Sequence, residues 1–194
     1  MTKEEFHKLW TLTYPDAVPI SYLFKHKYSD SWFRIHSLPE SKRYADSDSE
    51  WKILLTRQNE IITDLFGFDE PVFLITSVYD SNYEKPSSLI DAEKDYSFTH
   101  FDNIDLYELD SEVWGEGTIY QAAFAETIWN PHQHDKLLRE IANDESRAFF
   151  VSFDKNVIVA PYDGGVDFVL KDSLRRDFYK NKYRQWLSWR EDGL

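Results

Sequence analysis

From Arg147 the chain reads RAFFVSF, then DKN, then VIVAPY, then DGG, then VDFVL. Connections of three residues are too short for the crossover that a parallel pair requires, and Asp-Lys-Asn and Asp-Gly-Gly are turn compositions. The three apolar runs are therefore predicted to be consecutive strands of an antiparallel meander. Such a sheet needs helices to cover it, and the rest of the sequence supplies them.

Thr2 and Glu5 have capping-box spacing, predicting a helix from Lys3 to about Leu12 with Phe6, Leu9 and Trp10 inward. SWFRIHSL reads as a strand ended by Pro39. Trp51, Leu54, Leu55, Gln58, Ile61, Ile62 and Leu65 follow the i, i+3, i+4 rhythm of a core helix. Ser47 and Glu50 fit a capping box at its start, and Gly67 a left-handed cap at its end. PVFLITSVY is a buried strand by length and β-branching. IDLYEL is assigned to a strand, and so is GTIYQAAFAETIW, although its QAAFAE centre also suits a helix. Asn130 and Pro131 resemble a cap and first turn, predicting a helix from there to about Ala142. Asp172 caps a last helix with Leu174, Phe178, Tyr179, Tyr183, Trp186 and Leu187 on its apolar face. The expected fold is α+β: a largely antiparallel sheet of about six strands packed by about four helices. One domain over 1–194 is expected, the alternative being an N-terminal lobe, 1–80, and a C-terminal lobe, 103–194.

Thirty-five Asp and Glu against 22 Lys and Arg leave a net charge of −13, which disfavours direct nucleic-acid binding and attracts basic partners. The charge is local. Between Asp80 and Glu116 there are eleven acids against Lys85 and Lys94, a difference of −9, so the other 157 residues carry −4. The heart of this stretch, DAEKDYSFTHFDNIDLYELDSEVWGEG, interleaves the carboxylates with aromatic rings. A solvated loop whose charges guard a sheet edge is one explanation. A recognition surface is the other, with carboxylates pairing a partner's Lys and Arg and rings such as Tyr83, Phe101, Tyr107 and Trp114 as anchors. On that reading the partner-binding residues are Asp91, Glu93, Asp95, Tyr96, Phe98, Asp102, Asp105, Asp110 and Glu112.

Other motifs are weaker. His132, His134 and Asp135 are metal-ligand types, but helical positions two apart point about 200° from each other. His36 with Glu40, Lys42 and Arg43 places a base and cations beside a strand end, without an orienting group. The tail SLRRDFYKNKYRQWLSWR is a basic amphipathic helix that suits a regulatory module binding a partner helix or nucleic acid. PYDGGVD is a hairpin turn, and the dinucleotide, phosphate-loop and nucleophile-elbow motifs are missing. The chain has no cysteine, which removes disulfides, thiolate metal sites and cysteine nucleophiles. Without an apolar run of about 18 residues a membrane helix is not expected, and a cytoplasmic protein without metal or cofactor is.

WFRIHSLPESKRYADSDSEWKILLTRQNEIITDLFG and APYDGGVDFVLKDSLRRDFYKNKYRQWLSWREDGL together resemble an uncharacterised bacterial family of domains of unknown function. The resemblance implies a bacterial origin and transfers no site residue. By physical analogy alone, a small acidic protein of this type is similar to immunity proteins, which neutralise a basic toxin, here a nuclease, by occupying its cationic active site. The competing expectation is a hydrolase of a small or nucleotide-like substrate, using His36 with Glu40 or a metal at His132 and His134.

Overall fold

The computed structural model describes residues 1–80 and 93–188. The meander forms as the turns dictate: β5 (Phe149–Ser152), β6 (Val157–Tyr162) and β7 (Gly165–Val169) pair in sequence, Phe150 against Val159 and Tyr162 against Gly165. Four further strands extend it, β1 (Trp32–His36), β2 (Glu70–Asp80), β3 (Thr99–Asp105) and β4 (Ile119–Trp129). The order is β1-β7-β6-β5-β2-β4-β3 and every neighbouring pair is antiparallel. This is the α+β architecture expected, with seven strands.

Alternation along the meander sends Phe150, Val157, Val159, Val166 and Phe168 to one face of the sheet. Phe149, Val151, Ile158, Ala160 and Val169 go to the other. Both faces are apolar, so both must be covered. Six helices are present among the described residues: α1 (Lys3–Thr13), α2 (Phe24–Lys27), α3 (Asp48–Phe66), α4 (Leu106–Leu109), α5 (Asp135–Ala142) and α6 (Ser173–Lys182). The first face packs against α3, α5 and the end of α6 through Leu54, Ile61, Leu137, Ile141, Tyr179 and Tyr183. The second face takes Phe6 and Trp10 of α1 and Phe24 of α2. Phe6 stacks on Phe124 at 4.1 Å and meets Phe73, Phe101 and Phe153 edge-on. Much of the aromatic content is thus spent on this interior, where a buried Phe contributes about 3 kcal/mol.

The second face also holds an ion pair between neighbouring strands. Arg34 of β1 lies opposite Asp167 of β7 and donates to both its carboxylate oxygens, at 2.6 and 2.9 Å. Tyr162 covers the guanidinium at 4.4 Å. β1 passes so close to β7 that a β-carbon at Gly165 would sit 2.0 Å from the Ile35 carbonyl oxygen.

The capping of α1 and the C-terminal stop of α3 follow the sequence pattern: Thr2 and Glu5 form the capping box, and Gly67 takes φ 89°. At the start of α3 only half the predicted box forms. Ser47 accepts from Glu50 N–H, while the Glu50 carboxylate is drawn to Lys42 at 2.6 Å and to the Asp46 N–H. Three expectations are corrected. IDLYEL is not one strand, because the Asp105 carboxylate accepts from Tyr107 N–H and starts α4. The helix predicted from Asn130 begins at Asp135, because Asn130 bonds Asp69 through both ends of its amide and His132 takes φ 67°. On α6, Leu174 and Phe178 face outward, 81% and 63% exposed. There α3 presents Asp64, whose carbonyl accepts from Tyr179 O–H and whose carboxylate accepts from Tyr183 O–H at 3.0 Å. Rings with a polar end pack best on such a surface.

Candidate functional site

β3 is an edge strand: among the described residues it pairs with β4 alone, through a bulge between His100 and Asp102. Its inward side chains, Phe101 and Ile104, and Leu106 of α4 belong to the core on the α1 face. The acids are left outside. Two of them shape the turn that follows: Asp105 caps α4, and Asp110 accepts from the N–H groups of Glu112 and Val113 at 3.1 and 3.2 Å. The turn holds out Tyr107, Leu109 and Val113, the last 67% exposed. From Asp102 to Gly117 the chain carries six carboxylates and no Lys or Arg. The result is an acidic edge studded with apolar side chains. Leu109 and Val113 escape a sequence reading that looks for rings, their only signal being isolated apolar residues inside an acidic turn.

The sequence-predicted residues separate into two groups. Asp102, Asp105, Asp110 and Glu112 lie along β3, α4 and the following turn, with Asp102 3.6 Å from His7 of α1. Asp95, Tyr96 and Phe98 lie toward α5. Asp95 is exposed and 3.6 Å from Lys136, while Tyr96 and Phe98 are half-buried against the core of the α3 face. Glu93 opens a 3-10 turn, Glu93–Asp95, and Asp91 lies outside the described residues. Phe101 is buried, and Trp114 packs half-buried against the α1-face core. Tyr83 lies outside the described residues.

Tyr96 is held by His134. The imidazole is 2% exposed and stacked on Trp129 at 5.3 Å and on the Tyr96 ring at 5.9 Å. Its Nε2 lies 2.9 Å from the Ile128 carbonyl, which can only accept, so Nε2 carries the proton. Nδ1 then accepts from the Tyr96 hydroxyl at 2.6 Å. Burial pushes the His134 pKa below its ordinary value, and burial, reinforced by Asp95, pushes the Tyr96 phenol up to about 12. His134 is a neutral core histidine. His132, by contrast, is exposed and pairs with Asp135 at 3.0 Å. The two imidazoles have separate surroundings, and among the described residues no group of three or more His, Cys, Asp or Glu could hold a metal.

At the β1 end, burial and then Arg34 lower the His36 pKa. Arg43 pairs with the buried Asp163, which also accepts from Tyr44 O–H at 2.9 Å, so this cation is committed to the fold. Glu40 is exposed on a left-handed backbone, φ 57°. The basic side chains of α6 are divided: Lys182 donates to Asp64 at 2.5 Å, Arg176 to Asp177 at 2.5 Å, and Arg175 to the Lys155 carbonyl at 2.9 Å.

Among the described residues no helix is long and apolar enough to cross a membrane. No curated protein and no solved structure matches the chain. A family model does match, over residues 20–191, and the chain with its acidic strand edge thereby belongs to DUF3885, a domain of unknown function.

Proposed function

We propose that the protein works by binding: its acidic edge docks a basic protein partner in the cytoplasm, in the manner of an immunity protein that occupies the cationic active site of a toxin nuclease. The observation that carries this reading is the run of six carboxylates without a Lys or Arg between Asp102 and Gly117, set around exposed Tyr107, Leu109 and Val113 on a sheet edge. Carboxylates there stand where a nucleic acid would present phosphates, and they speed encounter. The apolar side chains supply the contacts that slow release. The edge itself needs no catalytic group.

Glu108, Glu112 and Glu116 are exposed, and unlike Asp105 and Asp110 their carboxylates cap no turn, so reversing them tests charge without unfolding the loop. With a basic toxin nuclease domain, to be sought among the neighbouring genes, as ligand, Glu108→Lys/Glu112→Lys/Glu116→Lys should slow association at least about tenfold at low salt and flatten its salt dependence. Unchanged association would remove the edge from the interface.

A further inference from the structure

A groove of about 540 Å³ opens between α3, the turn after β4 and the end of α6, lined by Thr56, Glu60, Phe68, Pro131, His132 and Lys182 among others. His132 reaches it from a backbone held at φ 67°, a conformation that glycine adopts without strain and that a β-carbon makes costly. Strain of this kind persists where surrounding bonds over-determine it, and here they do. The His132 N–H donates to Asn59 Oδ1 at 2.7 Å, and Asn59 Nδ2 donates to Asp135 Oδ1 at 2.7 Å and to the Leu55 carbonyl at 2.8 Å. Asn59 is 3% exposed with both ends of its amide in use, which fixes its orientation: oxygen toward the His132 N–H, nitrogen toward the carboxylate. Asp135, so placed, holds His132 Nδ1 with its second oxygen, Oδ2, at 3.0 Å.

The tautomer follows. A carboxylate only accepts, so Nδ1 carries the proton, and in the neutral ring Nε2 is the free lone pair. Amide, carboxylate and imidazole thus form a chain that ends in a positioned base on the groove wall. With Asp64 paired to Lys182, Glu60 is the carboxylate on that wall that disfavours an anionic ligand, while the exposed Phe68 ring and Pro131 receive an apolar group.

We propose that this groove is a metal-free hydrolytic site for a small uncharged ester, with His132 as general base and Asp135 and Asn59 as positioning residues. His132 Nε2 takes a proton from water as the water oxygen bonds to the ester carbonyl carbon. The tetrahedral oxyanion then collapses, the C–O bond to the leaving alcohol breaks, and the imidazolium returns its proton to that oxygen. Acid and alcohol are the products, and the ring is restored. This activity is separate from partner docking, since none of its residues belongs to the acidic edge.

The test is hydrolysis of p-nitrophenyl acetate by the full chain, with imidazole nitrogen NMR on the same protein. The rate should fall at least tenfold in His132→Gly, a substitution that relaxes the backbone and so spares the fold. Asp135→Asn should lower the rate, change its pH profile and release the ring from the Nδ1–H tautomer. His26→Ala, at an exposed histidine away from the groove, should leave the rate unchanged. A His132→Gly rate within twofold of wild type, or a wild-type ring in the Nε2–H tautomer, would overturn the site while leaving the docking reading standing.

Discussion

Removing one hydroxyl decides whether Tyr96 serves the fold or a partner. In Tyr96→Phe the ring can keep its place beside His134 and Phe98, but His134 Nδ1, buried with the rest of its imidazole, loses the donor that lies 2.6 Å away. An acceptor left buried without a partner costs about 1–3 kcal/mol. For a chain of this length each kcal/mol moves Tm by about 2–4 °C, so the variant should melt about 2–12 °C lower. The pH dependence has a defined sign. Burial depresses the folded pKa of His134, whereas the unfolded ring titrates near 6.5. Between those values the unfolded state binds the extra proton. The contribution is therefore complete above about pH 6.5 and is lost as pH falls through the folded pKa. Urea unfolding followed by tryptophan fluorescence, at pH 8 and then stepwise to pH 5, measures both effects. Stability of Tyr96→Phe within about 0.5 kcal/mol of wild type, together with weaker binding to the basic partner, would refute the structural role and restore Tyr96 as an interface anchor.

Three further outcomes follow from the packing. Gly165→Ala should destabilise by at least the upper end of the about 1–3 kcal/mol typical of overpacking, because the Ile35 carbonyl already occupies the methyl position; proteolysis would show β1 released first, and a neutral result would mean that β1 does not pair there. Asp167→Ala strands the Arg34 guanidinium and should cost about 3–5 kcal/mol, with Arg34→Met/Asp167→Leu recovering much of it; a double variant as unstable as the single would show that the loss is not one of unpaired charge. Phe178→Ser should leave the free energy of urea unfolding within about 0.5 kcal/mol of wild type, since the ring is mostly in water, and a loss above about 2 kcal/mol would mean that the ring is buried after all.

Local rules suffice where the determining partners are near in sequence. The meander was legible because two short turns leave no other pairing, the start of α1 because Thr2 and Glu5 bond each other's backbone, and the inner face of α3 because its apolar period is strict. IDLYEL was misassigned although its determinant is also local: the Asp105 cap competes with strand propensity and prevails. At the candidate sites the deciding contacts are distant. His134 and His132, two residues apart, differ because Tyr96 and Ile128 enclose one while Asn59 of α3 and Asp135 tether the other. No spacing rule encodes Asn59 meeting Asp135 across 76 residues.

Composition and order alone determined that an antiparallel sheet would be built, that helices would cover it, and that negative charge would gather between residues 80 and 116. Tertiary structure decided which of those charges share a surface and which rings remain outside, and it turned Leu174 and Phe178 to solvent by offering α6 the polar flank of α3. The reason is that periodicity reports which side of an element is apolar, whereas burial depends on what the opposing element presents, and that is settled only when both have docked.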